Sequence, residues 1–540
     1  MPESATTTPR GQEGRTVYLE TFGCQMNELD SELVRGQLAA LGYRFTTDMP
    51  TADIVLYNTC SVREQAENKA LSRVGQLGAE KRDGRRVVLG VIGCMAERDG
   101  ADIMRRHPQV DLLCGPGELD KLPMLIDNAL RTDAVERADR IALQGNRSRR
   151  TATLSAADDS LEMLDLSRAF DPDHAGAAGR SAYVRITRGC NKFCTYCVVP
   201  HTRGAEVHRP PDHIVDECRR LADQGVIEIT LLGQTVNHYI YTHGAAVTVN
   251  GAEAPQIGPG AAAFRNGSAL GTGQRTTTFA DLLKRIHDEV PAVQRLRFVT
   301  SYPRDFTDDA LRVMAESPRI CRYLHVPAQS GSDRILKLMN RGYTVGEYIE
   351  FIERARAIMP DVVIAGDIIV GFPTETDADF ELTKELLRRV RFKNNFIFKY
   401  SPRPGTVAIT RFKDDVTDAV KRARNNDLLA LQSEISAEVH RAYIGSTVPV
   451  LVEKLGRPSR RTTGNIDLRW EQPVTQLVGR TGGDMITAFD LPAGASPDDL
   501  IGTIVPIRIK SAGPLILFGS PLPGPESASR SFGPGAAQVV

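Results

Sequence analysis

The chain has 540 residues, of which 41% are hydrophobic and 25% charged, and its 67 basic residues balance 67 acidic ones. That length suits about three domains, and zero net charge argues against a chain that coats nucleic acid without selection. No apolar run reaches the roughly 18 residues of a membrane span, no secretory signal is visible, and nine cysteines in a cytoplasmic-looking chain read as metal or catalytic ligands rather than a disulfide framework.

Residues 1–14 are polar and read as a disordered tail. A regular alternation then begins. Thr16-Val17-Tyr18-Leu19-Glu20-Thr21 predicts a strand, and Asn27 to Leu41 a helix, with Leu29, Leu33, Leu38 and Leu41 near helical spacing. A second strand covers 53–58, a helix follows to about residue 82, and further strands are predicted at 86–92 and 110–113. Strands alternating with helices imply a doubly wound parallel sheet over 15–132. Residues 133–175 read as a linker, with a basic run at Arg147-Ser148-Arg149-Arg150.

A second α/β region spans 176–413, with strands predicted at 182–187, 226–232, 295–299, 322–326, 362–369 and 394–400. Six such units suggest a partial (β/α)6 barrel, whose active face lies at the carboxyl ends of its strands. Residues 241–276 interrupt it with a Gly/Ala-rich polar stretch, read as a mobile surface insertion with no assigned chemistry. Residues 414–443 read as a helical connector. From Gly445, strands at 447–453, 474–481, 485–489 and 504–510 suggest a small β-barrel of the kind that binds oligonucleotides, completing a module over 414–513. Arg457, Arg460, Arg461 and Arg469 would give it positive charge, and 514–540 reads as a disordered tail.

The densest chemical signal is Arg188 to Cys197. Cys190-x3-Cys194-x2-Cys197 follows the first strand of the second region, so it falls on that active face. Four thiolates normally hold an iron–sulfur cubane, so three leave one iron open. A closed zinc site wants four ligands, and its nearest candidates, His201 and His208, lie outside the loop. Cys24, Cys60 and Cys94 form a second set, each directly after one of the first three predicted strands. Carboxyl ends of parallel strands line one edge, where ligands bind, so these distant thiols can converge. Two stand in Gly-Cys steps, Gly23-Cys24 and Gly93-Cys94, which allow close backbone approach. Cys114 ends the fourth strand and reads as a packed thiol. Arg180, Arg185, Arg188, Lys192, Arg203, His208 and Arg209 crowd the cysteine loop, where a solvated face and a polyanion contact fit equally.

Cys190-x3-Cys194-x2-Cys197, with Tyr196 before the last cysteine, resembles the signature of radical S-adenosylmethionine (SAM) enzymes. The three modules in this order resemble the methylthiotransferases, which carry an N-terminal auxiliary cluster and a C-terminal TRAM domain. The resemblance spans about residues 16 to 511 and breaks at 241–276. Thr21-Phe22-Gly23-Cys24-Gln25-Met26-Asn27 looks like the tRNA-modifying, MiaB-type branch. The ribosomal-protein branch usually has Gly-Cys-Pro-Lys-Asn there, and the threonylcarbamoyladenosine branch Gly-Cys-Lys-Val-Asn. Gly233-Gln234-Thr235-Val236-Asn237 is close to the branch's Gly-Gln-Asn-Val-Asn, with Thr235 replacing an asparagine. His325 to Ser332 and Phe398 to Thr406 also fit.

The resemblance implies 2-methylthiolation of N6-isopentenyladenosine beside the anticodon of tRNA. It implies two [4Fe-4S] clusters, one on Cys190, Cys194 and Cys197 for radical generation and one on Cys24, Cys60 and Cys94 for sulfur delivery. Two molecules of SAM would be used per turnover, as radical source and as methyl donor. Tyr196 would lie against the SAM adenine, and Gly366, Asp367 and Ile368 would hold its adenosine by backbone contacts. No catalytic residue beyond the cluster ligands is implied. A low-potential electron donor is an expected partner, a membrane is not, and a monomer is expected. The TRAM-like module should add RNA-backbone affinity, so that deleting 445–540 raises the KM for tRNA and leaves SAM cleavage intact. One rival is the same chemistry on threonylcarbamoyladenosine tRNA or a ribosomal-protein aspartate. Another is a non-catalytic, zinc-containing RNA-binding protein, which wastes two three-cysteine sets. An iron–sulfur electron carrier would need neither barrel.

Overall fold

The structure is a computed structural model that describes residues 14–131, 137–144, 160–168, 179–244, 248–249, 252–258, 275–456, 475–492 and 494–522. Most of the two expected tails, Arg147 to Arg150, and Arg457, Arg460, Arg461 and Arg469 lie outside the described residues.

Six strands build the first sheet: β1 (Thr16–Thr21), β2 (Arg44–Phe45), β3 (Ile54–Thr59), β4 (Val88–Gly93), β5 (Leu112–Cys114) and β6 (Ile141–Ala142). Their order is β2-β1-β3-β4-β5-β6, and every pairing is parallel. β3 and β4 are buried along their whole length, as a sheet covered on both faces requires. Ile54, Leu56 and Ile92 point into one core, and Val55, Tyr57, Leu89 and Val91 into the other. β2 and β6 are two-residue edges, too short to leave a periodic trace in the sequence.

The expected linker is not a passive tether where it is described. β6 extends the sheet, and Leu161 of the helix Ser160–Leu166 is buried in one of its cores. Asp165 of that helix is ion-paired with Arg185, and Glu162 bonds Arg209 at 2.8 Å. Loop composition hid these few apolar and acidic anchors.

The second region holds β7 (Ser181–Arg185), β8 (Thr187–Arg188), β9 (Val207–His208) and β10 (Glu228–Leu232). After these come β11 (Ile240–Thr242), β12 (Thr248–Val249), β13 (Ala252–Glu253), β14 (Gln256–Ile257) and β15 (Thr276–Thr278). β16 (Arg295–Phe298), β17 (Tyr323–His325), β18 (Val363–Val370) and β19 (Asn394–Lys399) complete it. β7, β10 and β16 run parallel, as do β17, β18 and β19. A parallel bridge between Leu296 and Ile320, with the Cys321 amide on the Leu296 carbonyl at 2.9 Å, joins the two sets. The result is the partial six-stranded barrel. Its helices start on local signals: Thr278 with Asp281, Thr344 with Glu347 and Thr376 with Asp379 each form a capping box.

The 241–276 segment differs from its expectation. β11 pairs with β15, and β14 pairs with β9, the strand that follows the cysteine loop. The Tyr241 hydroxyl donates to the Ala254 carbonyl at 2.8 Å. Its described part is therefore stitched to the barrel by short strands that its Gly/Ala-rich composition conceals.

β20 (Thr447–Leu455), β21 (Gln476–Thr481), β22 (Ile486–Asp490), β23 (Ile504–Ala512) and β24 (Leu517–Pro521) close into a small barrel in the order β20-β21-β22-β24-β23. β24 corrects the expected tail boundary at 514. Leu517 is fully buried, and closure removes the exposed edges that β22 and β23 would otherwise present. This barrel shares a core with Tyr323, Val363 and Ala365. Arg295 bonds the Arg480 and Pro449 carbonyls, Arg297 bonds the Thr481 carbonyl, and Lys393 pairs with Asp484. All these contacts sit at the starts of β16 to β19, the end of the barrel opposite the cysteine loop.

Candidate metal centres

The first thiol set lies where the order of the N-terminal sheet reverses, between β1 and β3. Cys24 follows β1, Cys60 follows β3, and Cys94 opens the helix Cys94–Asp99 after β4. Such a switch point opens a crevice at the carboxyl ends of the strands. Two glycines let the backbone approach. A Cβ on Gly23 would lie 2.7 Å from the Cys60 Cβ, and one on Gly93 (φ +89°) 2.4 Å from Asn58 Oδ1. Asn58 ties the loops together by donating to the Asn27 carbonyl at 2.8 Å and accepting from Asn27 Nδ2 at 3.0 Å.

Cys60 and Cys24 are hydrogen-bonded through their thiols, and this is the largest effect lowering the Cys24 pKa, to about 6. Burial opposes it; the Arg203 guanidinium and the Asn27 and Met26 amides at the start of the helix Gln25–Ala40 assist it. Cys60 is pushed up as the other member of that bond. Burial also pushes Cys94 up, while Arg203, hydrogen-bonded to it, pulls the other way.

The second set lies at the carboxyl end of β7 and β8. Gly189 (φ +69°) turns the chain into the loop, and a Cβ there would lie 2.0 Å from the Ala205 carbonyl oxygen. The Cys190 amide donates to the Gly204 carbonyl at 3.3 Å. Thr195 donates its amide and hydroxyl to the Met339 and Leu338 carbonyls at 3.0 and 2.9 Å, and Asn340 Nδ2 donates to the Phe193 carbonyl at 2.9 Å. Cys190 and Cys197 are pushed up chiefly by burial, Cys197 to about 12, with neighbouring thiols of the set adding to it. Arg341, buried between Tyr302 and Tyr343, brings Nη1 to 3.5 Å from Cys194 Sγ. Thr235, the departure from the family pattern, places Oγ1 3.8 Å from Cys190 Sγ.

Arg203 joins the two sets. It caps the short helix Val199–Thr202 that follows Cys197, and its guanidinium bonds Asp30 in the N-terminal domain at 2.6 Å beside Cys24 and Cys94. Further ion pairs cross the same junction, Arg168 with Glu32 and Arg403 with Glu67. The basic crowd around the loop is thus largely consumed inside the protein. Arg185, Lys192, Arg203 and Arg209 pair with Asp165, Asp305, Asp30 and Glu217, so these four form neither the solvated face nor the polyanion contact weighed for them. A one-dimensional charge count cannot see carboxylates that arrive from other elements.

The six expected ligand cysteines therefore come together as two groups of three. Among the described residues no fourth cysteine joins either: Cys114 is fully buried with its thiol on the Glu118 carbonyl at 3.2 Å, and Cys218 and Cys321 are buried elsewhere. His201 belongs to no ligating cluster among the described residues.

Tyr196 packs on the buried cluster that holds Phe372 and Tyr400, and burial holds its hydroxyl far above the usual range. Gly366, Asp367 and Ile368 lie inside β18, between β17 and β19. The Asp367 carbonyl already accepts from the Gln329 amide at 2.8 Å. A Cβ on Gly366 would meet Asn395 Oδ1 at 2.7 Å, so its glycine serves strand packing. The Asp367 carboxylate, 3.2 Å from His325 Nε2, adds a polar side chain at this stretch. Sequence reasoning missed the roles of Arg203, Arg341 and Thr235. Arg203 stood in the quoted basic crowd, but nothing in the sequence named its partner Asp30.

Fold and thiol geometry define the class: a radical-SAM enzyme with a second three-thiol centre in an N-terminal domain. Residues 184–387 match the radical SAM superfamily, and residues 16–115 match the uncharacterized protein family UPF0004. The tRNA-2-methylthio-N(6)-dimethylallyladenosine synthase of Rhodopirellula baltica is 43% identical over 476 residues, 88% of this chain and 90% of that protein. Proteins of the same name from Maricaulis maris and Ralstonia nicotianae are each 39% identical, covering 94% of this chain and 97% of their own lengths. The solved radical SAM methyltransferase TsrM from Kitasatospora setae is 14% identical, with TM-score 0.48 over 73% of this chain and 74% of that one. The chain belongs to the MiaB-type family of tRNA-2-methylthio-N(6)-dimethylallyladenosine synthases. Superfamily membership implies a [4Fe-4S] cluster and SAM. The cysteine loop fits that cluster: three thiols and a neighbouring guanidinium, with no fourth cysteine beside them among the described residues. Among the described residues no helix is long and apolar enough to cross a membrane.

Proposed function

We infer that this enzyme adds a 2-methylthio group to N6-isopentenyladenosine next to the anticodon of tRNA, using two [4Fe-4S] clusters. The observation that carries the reading is the pair of three-thiol sets, with Arg203 running from the loop of one to the side of the other, in a chain of this family. Cys190, Cys194 and Cys197 would hold one cluster, and Cys24, Cys60 and Cys94 the other. Bound there, the clusters and two molecules of SAM supply the radical that removes the purine C2 hydrogen, the sulfur and the methyl group.

The chain's own residues position and exclude. Arg341 and Arg203 each set one positive charge against one thiolate set. Tyr196, packed on the cluster that holds Phe372 and Tyr400, and the Asp367 carboxylate beside His325 are the groups proposed to meet the adenosine of SAM. For the target base, Phe396 is 45% exposed, with Phe398 stacked 6.5 Å away. The Arg63 guanidinium from the Cys60 loop lies 5.8 Å from the Phe396 ring, and His325 packs edge-on at 6.3 Å. Single-stranded RNA bases are read by stacking on such surfaces. This aromatic face lies between the Cys60 loop and the carboxylate of β18, where a splayed base has to enter.

The test is anaerobic reconstitution of wild type and a Cys24→Ala/Cys60→Ala/Cys94→Ala variant, with dithionite, SAM and isopentenylated tRNA, followed by nucleoside mass spectrometry. Wild type should give the methylthio nucleoside. The variant should keep about half the iron and cleave SAM without product. Wild type that cleaves SAM yet leaves this tRNA unmodified would reject the substrate.

A further inference from the structure

One more group of ligating side chains converges at the base of the cysteine loop, separate from the six thiols. Glu206, His208 and His238 bring one ligand atom each within 4.8 Å of one another. The three are buried, with His208 and His238 fully so. Glu206 and His208 lie two residues apart on the extended chain leading into β9, so they share a face. His238 arrives from the short helical turn Val236–His238 after β10. Glu206 Oε1 stands 3.0 Å from His208 Nε2 and 2.5 Å from His238 Nδ1.

Two features distinguish this trio from a saturated hydrogen-bond network. His208 Nδ1 is held by the Ile240 backbone, 2.8 Å from its carbonyl and 3.2 Å from its amide, which turns Nε2 toward the shared centre. A backbone carbonyl on the far nitrogen is the usual orienting partner of a metal-ligating imidazole. The second oxygen of Glu206 is buried and has no hydrogen-bond partner. Thr187 Oγ1 is in the same condition, and Thr187 is the cross-strand partner of His208, which puts it on the same face. Buried polar atoms without partners are costly and signal a bound water or ion.

We propose that Glu206, His208 and His238 bind one divalent cation of the zinc class, with the fourth position open to Thr187 or water. Two imidazoles and a carboxylate suit zinc in both charge and softness. Tetrahedral ligands about 2.0–2.1 Å from zinc stand about 3.3 Å apart, so the two separations from Glu206, 3.0 and 2.5 Å, widen by less than an ångström to take the ion. Binding releases the protons that now bridge the nitrogens and Glu206. The ion's place in the fold gives its role. Gln256 and Ile257 of β14 pair with His208 and Val207, and the Gly258 amide donates to the Glu206 carbonyl at 2.8 Å. A Cβ on Gly258 would lie 2.6 Å from His208 Nε2, so only glycine lets this segment close over the trio. On its other side β9 pairs with β8, which leads directly into Gly189 and Cys190. The cation clips the inserted segment and the turn after β10 onto the base of the cysteine loop.

Metal analysis of the full-length, iron-reconstituted chain tests this, with zinc and cobalt as probes. Wild type should hold about one zinc per chain beside its full iron. Glu206→Gln and His208→Ala/His238→Ala should lose the zinc, at least tenfold, and keep the iron. Cobalt in place of zinc should give visible bands of a nitrogen- and oxygen-ligated site with no thiolate charge transfer. Iron-loaded wild type free of zinc overturns the site. So does zinc that survives the near-isosteric Glu206→Gln, or a cobalt spectrum dominated by thiolate, which would put the ion on the cysteines. If the double histidine variant fails to fold, wild-type stoichiometry, the cobalt spectrum and Glu206→Gln still decide.

Discussion

Arg203→Met keeps most of the side-chain volume at the junction of the two thiol sets and removes its charge. Two costs follow. Asp30 is buried and bonds Arg203 at 2.6 Å, and breaking a buried pair from one side typically costs about 3–5 kcal/mol. The guanidinium also lies beside Cys24 and Cys94. A unit charge roughly 6 Å from a redox centre, at an effective dielectric of about 20, is worth about 3 kcal/mol. For a one-electron couple that corresponds to about 120 mV. Losing the positive charge makes reduction harder, so the potential should move negative by this order. The assay is an EPR-monitored redox titration in a Cys190→Ala/Cys194→Ala/Cys197→Ala background, where only the N-terminal set can hold a cluster. Arg203→Lys, which keeps the charge, should shift far less. An Arg203→Met chain with normal iron and a potential within about 20 mV of its parent would refute the electrostatic reasoning and leave Arg203 a structural brace.

Gly189→Ala should abolish SAM cleavage and about half the iron, because its Cβ would lie 2.0 Å from a backbone carbonyl at positive φ; iron content with SAM cleavage reads this, and full iron in the variant contradicts it. Phe396→Ala should raise the KM for tRNA by about tenfold, the worth of one lost base–aromatic stack of 1–3 kcal/mol. SAM cleavage without tRNA should be unchanged, and an unchanged KM would remove Phe396 from the substrate path.

What the sequence made legible follows from how its signals are encoded. β3, β4 and β18 are six to eight residues long and apolar, the shorter barrel strands recur regularly between helices, and the positions of the six expected ligand cysteines after strands followed from that alternation. β2, β6, β14 and β24 are two to five residues long and are held by partners distant in sequence, such as β9 for β14. Their own composition reads as loop. The site's charges were legible as residues but not as pairs. Arg203 needs Asp30, 173 positions away, and Arg341 needs Cys194, 147 positions away. No local pattern reports which of two arginines meets solvent and which meets a thiolate. The same limit hid the trio of Glu206, His208 and His238, since its third member follows a different strand.

The position of the C-terminal barrel restricts its contribution. It packs on Arg295, Tyr323, Val363 and Lys393, where β16 to β19 begin. β18 spans eight residues from that end toward the thiols, about 26 Å of strand. The described strands of the barrel therefore lie far from the thiols, a position that suits the proposed hold on an RNA arm rather than contact with the target base. Deleting it is not a clean test, because Arg295, Arg297 and Lys393 would lose buried partners and the shared core would open. Charge reversal on its surface is cleaner. Arg508 and Lys510 are exposed on one face of β23. Their conversion to Glu should raise the KM for tRNA and flatten the salt dependence of binding by at least about 1.4 in the log–log slope, at roughly 0.7 per lost phosphate contact. SAM cleavage and the identity of the product should not change. A fall in kcat at unchanged salt slope would mean that the barrel acts on the active site through the strands it caps, not on the RNA.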